Sequence, residues 1–324
     1  MTDGISRRAT MAGLLAAAAP GAVRAADWPE RPVTWIVPYP AGGGSDTFAR
    51  PIAALMAERL GQPMPIDNRS GAGGTIGTAV AARAAPDGYT LLLGDTGLTY
   101  APIVYPKAGF DFARDFAPIS ALARQPYVLV VNPARLDVAT LGAFVERAKK
   151  TPGTIDVGTA GLGTVTDLAV GLFEQRASIK VTRVPYRGGG PMLQDLLAGQ
   201  IAAAFVVLSA AVGLATSGKL KALAVAGRRR ESLLPEVPTM KQAGLDFRAT
   251  IWFGLFAPAR TPATVLDRLH GAVQGALRDD KVKRLWEEQG ARVELENRAD
   301  FARFVAADTE RWVKLARAAD IKLE

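Results

Sequence analysis

The chain has 324 residues, of which 49% are hydrophobic and 22% charged, with a net charge of +8, one histidine and no cysteine. The apolar fraction is enough for a packed core and the length suggests two domains, so intrinsic disorder and fibrous repeats are excluded. The absence of cysteine excludes disulfide scaffolds and thiol catalysis, and the single His270 excludes sites that need two imidazoles.

Residues 1–25 have the pattern of an export signal. Arg7 and Arg8 supply a basic start, residues 9–19 are apolar but too short to span a bilayer, and residues 23–25 form a small-x-small cleavage site. The arginine pair also fits a twin-arginine signal, so the pattern leaves Sec and Tat export open. The mature protein is therefore expected in the periplasm.

Short β-branched runs alternate with amphipathic stretches along the rest of the chain, which predicts an α/β fold with a largely parallel sheet. The predicted strands cover residues 33–37, 64–67, 90–93, 127–131, 155–158, 181–184, 201–207, 220–226 and 251–257. Helices are predicted at residues 52–60, 75–84, 141–149 and 191–198, in a stretch ending at residue 173, and over most of the chain after residue 258.

Strand–loop–helix units occur in both the first and the second third of the chain, and the chain ends in helices. This order predicts two α/β lobes joined by two crossings, with the C-terminus packed back on the first lobe. Pro51 interrupts the first helical pattern, and since proline removes a helical hydrogen bond, the helix is expected to start late or with an irregular first turn.

Three glycine-rich loops, at residues 42–46, 71–75 and 159–164, follow predicted strands and precede predicted helices. Ligands of open α/β sheets bind beyond the strands' C-terminal ends, where helix N-termini present free N–H groups that suit anions. Glycine lets the backbone approach a ligand closely, and Ser45 and Thr164 add hydroxyl groups. The pattern favours a small carboxylate, although a tight turn or a helix cap explains each loop taken alone.

Other chemistries find little support in the sequence. Residues 71–77 approach a dinucleotide fingerprint, but Ile76 stands in place of the third glycine, and no complete phosphate-binding loop occurs. There is no nucleophile elbow, and His270 lies in a predicted helix far along the chain from the glycine loops. Basic residues are interleaved with acidic ones. We therefore expect no catalysis, no cofactor, no metal and no nucleic-acid partner.

An ordered series of motifs is similar to the tripartite tricarboxylate transporter substrate-binding proteins, the Bug family of periplasmic receptors. It spans essentially the whole chain after residue 27 and includes IVPYPAGGGSD at residues 36–46, DNRSGAGGTIG at 67–77, APDGYTL at 85–91 and WFGLFAP at 252–258. The remaining matches lie at residues 28–33, 60–63, 184–188, 218–225 and 235–239.

The resemblance implies a two-lobed periplasmic-binding-protein fold of type II, the Venus flytrap, with two inter-lobe crossings. Residues 27–124 plus 251–324 would form lobe 1, and residues 125–250 would form lobe 2. Carried over from the family, the expected ligand-binding residues are Tyr39, Ala41, Gly42, Gly43, Ser45, Asp46, Asp95, Thr96, Thr159, Ala160, Gly161, Gly163, Thr164, Asp167 and Val206.

Three positions depart from the family pattern, and one of them is Pro51, which the corresponding helix of the family lacks. Many members have histidine where this chain has Asp167, and aspartate where it has Val206. Val206 is expected to make one cleft wall apolar, which argues against a ligand with an ammonium group, since an unpaired buried charge is costly.

The function implied by the resemblance is a monomeric receptor that captures a small organic acid and delivers it to a membrane permease. A ligand sensor for a membrane signalling kinase and a periplasmic hydrolase or isomerase remain alternatives, because a fold hosts more than one function.

Overall fold

The computed structural model describes residues 28–42, 44–288 and 290–319, so the predicted export signal and Gly43 lie outside the described residues. The strands are β1 (Thr34–Val37), β2 (Ile66–Asn68), β3 (Thr90–Asp95), β4 (Phe116–Val131), β5 (Asp156–Thr159), β6 (Thr182–Pro185), β7 (Ala203–Val207), β8 (Lys221–Val225), β9 (Thr250–Pro258) and β10 (Arg292–Val293).

The helices, in chain order, are α1 (Gly44–Leu60), α2 (Thr75–Ala82), α3 (Thr96–Val104), α4 (Phe112–Asp115), α5 (Leu141–Lys150), α6 (Val165–Ala177), α7 (Gly189–Leu197), α8 (Leu208–Thr216), α9 (Ala263–Leu277), α10 (Asp280–Glu288) and α11 (Arg298–Ala319). Within the described part of the chain, no helix is both long enough and apolar enough to cross a bilayer.

The long strand β4 joins two half-sheets. Its first part runs antiparallel to β9, which continues through β3 to the parallel strands β1 and β2. Its second part pairs antiparallel with β7 and β8, and β7 leads to the parallel strands β5 and β6. At the crossing, Gln125 pairs with Ile251 and Pro126 with Thr250, so both connections between the halves run side by side.

Helices cover both faces of each half-sheet, and the alternation of strand side chains fills a separate core on each face. In β1, Trp35 packs against α1 and α9 residues, while Ile36 packs on the opposite face with α2 and α3 residues. In β4, Leu129 and Val128 likewise belong to different cores. All four side chains are at most 2% exposed. Because both faces of these strands are buried, their sequences are near-continuous apolar runs.

Helix α11 packs against both halves of the molecule. Phe301 and Val305, near its start, belong to the core of the first half, whereas Trp312 and Ala316 belong to the main core of the second. A salt bridge also joins the halves, because Arg292 Nη2 lies 2.5 Å from Glu231 Oε2. The predicted return of the C-terminal helices to the first half is thus accompanied by a contact with the second.

Sequence patterns missed two elements that shape the cleft. The first part of β4 has few β-branched residues and contains Pro118, and its register with β9 shifts next to that proline. Helix α3 contains Pro102, and the sequence pattern predicts no helix over its residues. The expected late start of the first helix is wrong, because α1 begins at Gly44 and continues through Pro51.

Candidate functional site

A cavity of about 270 Å³ opens between the two halves. Strand ends, helix N-termini and both crossing strands supply its walls. The lining residues are Tyr39, Ser45, Gly73, Asp95, Gly97, Tyr100, Ala101, Val104, Tyr105, Tyr127, Ala160, Gly163, Thr164, Val165, Thr166, Ile251 and Phe253. Most of this surface is aromatic, aliphatic or glycine, and a few polar groups converge on it, as in small-molecule sites generally.

Six of the sequence-predicted site residues line the cavity: Tyr39, Ser45, Asp95, Ala160, Gly163 and Thr164. The other described ones lie beside it or behind it. Ala41 and Gly42 are exposed on the loop before α1, and Gly161 adopts a left-handed φ of 130° in the loop before α6. Thr159 is fully buried at the end of β5.

Asp46 and Asp167 hold the two glycine loops in shape from equivalent positions. Asp46 accepts a hydrogen bond from the Gly42 N–H at 2.8 Å, and Asp167 accepts one from the Gly163 N–H at 3.0 Å. In each case the carboxylate lies four residues after the glycine. These two N–H groups are therefore committed within the protein, and both aspartates act as loop braces rather than as lining residues.

The Asp46 carboxylate is the better satisfied of the two braces. It also accepts a hydrogen bond from Arg50 Nε at 2.7 Å and another from Asn68 Nδ2 at 3.0 Å. Burial raises the pKa of Asp46, but the hydrogen bonds from Arg50, Gly42 and Asn68 outweigh this effect and bring the pKa below its ordinary value.

Replacing Asp46 with asparagine is expected to destabilise the fold by about 1–3 kcal/mol at neutral pH, because the amide NH₂ would face donors. Folding lowers the pKa of Asp46, so the ionised carboxylate contributes its full stabilisation of the fold above the ordinary pKa of aspartate. This contribution is lost as the pH falls through the lower pKa that Asp46 has in the folded protein. Urea unfolding should therefore show a smaller difference between variant and parent below about pH 4.

The control for this brace is D280N, which removes an exposed partner of Lys283. That change should cost at most about 1 kcal/mol, as surface ion pairs do. Equal losses for D46N and D280N at neutral pH would contradict a bracing role for Asp46.

Asp95 caps the N-terminus of α3 and binds Tyr39. One carboxylate oxygen accepts hydrogen bonds from the Gly97 N–H at 2.7 Å and the Leu98 N–H at 3.1 Å, and the other accepts the Tyr39 hydroxyl at 2.5 Å. Burial raises the pKa of Asp95 although these hydrogen bonds oppose the shift. Burial, followed by the nearby Asp95 carboxylate, raises the pKa of Tyr39 well above its ordinary value, so this tyrosine stays neutral.

The N-terminus of α6 faces the same cavity but carries no such cap. Its N-cap residue Thr164 accepts no hydrogen bond from a backbone N–H of the helix. The Thr164 hydroxyl instead donates to the Gly161 carbonyl at 2.7 Å and lies 2.9 Å from the Thr166 hydroxyl. The first backbone N–H groups of a helix lack intrahelical partners and carry a partial positive charge. Thr164, Val165 and Thr166 all line the cavity, so this end of α6 can offer neutral hydrogen-bond donors to an anion there.

Two predicted site residues point away from the cavity. Val206 is 4% exposed and packs with Met192 and Leu196 on the opposite face of the second half-sheet. Successive residues of a strand face opposite sides, so its position along β7 turns it away from the cleft, and the expected apolar wall is not formed by this side chain. Thr96 is buried and accepts a hydrogen bond from the Trp252 N–H at 3.1 Å.

Sequence reasoning missed most of the cavity's apolar wall. Helix α3 contributes Tyr100, Ala101 and Val104, whose spacing of three and four residues is the signal of one helix face, and Tyr105 follows at its C-terminal end. Recognising Asp95 as an N-cap would have revealed this helix. Tyr127, Ile251 and Phe253 line the cavity because they lie on the crossing strands, which only the tertiary structure brings together.

Neither a metal centre nor a histidine site occurs at the cavity within the described residues. No group of three or more acidic or histidine side chains is placed to hold a metal ion in that part of the chain. His270 Nδ1 donates a hydrogen bond to the Ile119 carbonyl at 2.8 Å, which makes it a packing residue of α9.

Comparison with known proteins connects this geometry to one family. Residues 48–321 match the model of the tripartite tricarboxylate transporter family receptor. Protein BugT of Bordetella pertussis is 35% identical over 305 residues, which cover 93% of each chain.

Two solved structures share the fold and hold organic acids. The R. palustris protein Rpa4515 with adipate has a TM-score of 0.79 at 35% identity, covering 92% of this chain and 100% of that one. MatC from Rhodopseudomonas palustris, with bound malate, has a TM-score of 0.76 at 35% identity, covering 89% and 100%. The predicted two-lobed periplasmic-binding-protein fold and the family resemblance are thereby confirmed. The chain belongs to the tripartite tricarboxylate transporter receptor family, known also through its Bug members.

Proposed function

We propose that the protein is a periplasmic receptor that captures a small organic acid by its carboxylate and delivers it to the membrane permease of a tripartite tricarboxylate-type transporter. The observation that carries the proposal is the uncapped N-terminus of α6 in an inter-lobe cavity that no Lys, Arg or His side chain of the described residues lines. Relatives solved with adipate and malate support the same ligand class.

Neutral donors suit a receptor that must also release its ligand. Backbone N–H groups and hydroxyls fixed by the fold stabilise an anion without the desolvation cost that a buried cation adds. Ser45 and Tyr39 from the first half would meet the ligand when the lobes close over it. Closure would exclude water and strengthen these contacts.

The proposal also includes the division into lobes, the export signal and the oligomeric state. We assign residues 27–124 plus 251–324 to lobe 1 and residues 125–250 to lobe 2, and the pairing of Gln125 with Ile251 and of Pro126 with Thr250 supports this division. Residues 1–25 act as the export signal, the mature chain works as a monomer, and it binds its ligand without chemical change.

Carboxylic acids are expected to raise the melting temperature of the protein, whereas their primary amides should not, because only the anion gains from the α6 N-terminus. At a ligand concentration of about 100 times Kd, the stabilisation is about 2.7 kcal/mol. Differential scanning fluorimetry with acid–amide pairs of equal carbon skeleton measures this. A flat response to a broad acid panel, or equal shifts from acid and amide, would contradict carboxylate capture.

The same sample distinguishes a receptor from an enzyme. Mass spectrometry of the acid recovered after prolonged incubation should find it unchanged, whereas a hydrolase or isomerase would convert it.

Deletion of the permease separates transport from sensing. If cells that keep the receptor but lack the neighbouring permease no longer take up the acid, the result supports transport. Unaffected uptake would favour the sensor alternative.

A further inference from the structure

A second cavity, of about 800 Å³, adjoins the crossing between the two halves. On the crossing strands, Tyr127 and Ile251 line the inter-lobe cavity, whereas their neighbours Pro126 and Thr250 line this second one. Successive residues of a strand face opposite sides, so the two cavities lie on opposite sides of the crossing. We call the second cavity the back groove. Its volume is within the range of small-molecule sites.

Both halves of the molecule contribute walls to the back groove. The loop after β8 supplies Arg228 and Arg229 from the second half, while β10 supplies Arg292 from the first. Gly227 brings that loop against the crossing, since a Cβ built on it would lie 3.2 Å from Cβ of Pro126. A ligand that fills the groove would therefore touch both halves.

The back groove carries an excess of positive charge. Among the described residues that line it, seven are arginines and four are acids, and there is no lysine or histidine. One of the arginines, Arg303, pairs with Asp300, which is not a lining residue. Arginines still outnumber carboxylates by seven to five when Asp300 is included.

Two of the four acids are each held by an arginine of the groove. Glu231 accepts hydrogen bonds from Arg292 Nη2 at 2.5 Å and from Arg292 Nε at 3.0 Å. Asp308 accepts one from Arg311 Nη2 at 2.7 Å. These carboxylates are thus not available to the other arginines.

The other two acids share one arginine. Arg124 Nη1 donates to Glu294 at 2.9 Å, and Arg124 Nη2 donates to Glu296 at 2.7 Å. The guanidinium of Arg124 also lies 3.8 Å from the ring centroid of Phe304, which fixes its position. All four carboxylates of the groove are therefore engaged by Arg124, Arg292 and Arg311.

Three arginines of the groove are left without an acidic partner. The side chains of Arg228, Arg229 and Arg248 are exposed, and within the described part of the chain they form no ion pair or hydrogen bond. A cleft lined by charges of one sign concentrates their field and attracts the opposite charge. The unpaired guanidinium groups thus make the back groove suitable for an anion with more than one charge.

We infer that the back groove binds a compact polyanion of the phosphate class through Arg228, Arg229 and Arg248. Each guanidinium presents a planar fork of donors that matches phosphate oxygens, and one phosphate group can accept from more than one arginine. The ligand is either a free polyphosphate or the phosphate groups of an anionic lipid. This second site is separate from the acid site of the inter-lobe cavity and does not depend on it.

Titration of the mature protein with sodium pyrophosphate at low ionic strength tests the inference. We expect saturable binding that weakens as sodium chloride is added. The double variant R228Q/R229Q should raise the pyrophosphate Kd by at least about tenfold, since hydrogen bonds to charged groups are lost. R248Q changes a different segment of the groove and should raise the Kd by at least about threefold.

The matched control is R260Q/R284Q, which removes the same charge from two exposed arginines that do not line the groove. Its effect on the Kd should be less than about twofold, because exposed charges outside the groove are screened. Similar melting temperatures of the two double variants would show that both are folded. If both raise the Kd equally, the inference is overturned.

Vesicles identify the source of the phosphate groups. Cosedimentation with cardiolipin-containing vesicles, absent for phosphatidylcholine vesicles and lost in R228Q/R229Q, would assign the groove to a lipid head group. Pyrophosphate binding without cosedimentation would assign it to a free polyphosphate. If the parent protein binds neither pyrophosphate nor cardiolipin vesicles, the inference is wrong.

Discussion

Replacing Gly163 with alanine is expected to raise the Kd for the acid by roughly tenfold to a hundredfold. Gly163 has a φ of 71°, and a Cβ at this position would lie 2.5 Å from Cγ1 of Val104. Val104 is 1% exposed on α3, and its branched side chain has little rotamer freedom to move aside. An overpacked contact costs about 1–3 kcal/mol, and each 1.4 kcal/mol changes Kd tenfold.

The location of this contact explains why binding should suffer more than folding. Gly163 belongs to the loop before α6 and Val104 to α3, so the added methyl group pushes against the opposite wall of the cavity. The strain is relieved when the two walls separate, and separation weakens the ligand's contacts with one of them. Calorimetric titration with the acid identified by the panel measures the loss.

Gly153 provides the matched control. Its φ of 75° is nearly the same, but a Cβ there meets no atom within 4 Å. G153A should therefore show only the backbone strain, about 1–2 kcal/mol of stability, with an unchanged Kd. If G163A and G153A both leave the Kd unchanged, the Gly163–Val104 contact does not limit closure.

Truncating Trp312 to alanine is expected to lower the free energy of unfolding by about 3–5 kcal/mol. Its side chain is fully buried, and its ring lies 5.9 Å from that of Tyr100, a residue of the cavity wall. Removing the indole leaves a void in the main core of the second half, beneath the helix that lines the site. Chemical denaturation gives the stability, and acid titration shows whether the loosened wall also weakens binding.

The conservative variant W312F keeps an aromatic ring at this position and serves as the control for W312A. It preserves most of the apolar surface, so we expect a loss of at most about 1.5 kcal/mol and near-normal acid affinity. If W312A lowers the free energy of unfolding no more than W312F does, α11 must be able to move in and fill the void left by the indole. That result would contradict the fixed packing of α11 in both cores.

Local sequence patterns were sufficient for elements whose side chains alternate or repeat within one segment. The runs at β1, β3 and β7 are apolar because both faces of their sheets are covered, and the glycine loops stand out because positive φ values favour glycine. Together with the family resemblance, these features predict Ser45, Ala160 and Thr164 as site residues, and all three line the cavity.

Local sequence patterns do not predict the strand pairing that forms the cavity. The first part of β4 is a strand because β9 lies beside it, and its own composition with Pro118 and Pro126 argues against that state. The family resemblance predicts Val206 in the cleft, but the side of the sheet that a residue faces depends on strand register, and a shift of one residue changes that side. The Tyr39–Asp95 contact joins residues 56 positions apart, and no local pattern marks it.

The strand pairing at the crossing has a mechanical consequence. Since Gln125 and Pro126 stay beside Ile251 and Thr250 where the chain passes between the halves, the link is a two-stranded ribbon rather than a pair of independent tethers. Two-stranded ribbons twist more than wide sheets do. We therefore expect this link to allow rotation between the halves, within the range permitted by α11, which packs against both of them. The receptor should accordingly open by a twist about an axis along β4 and β9.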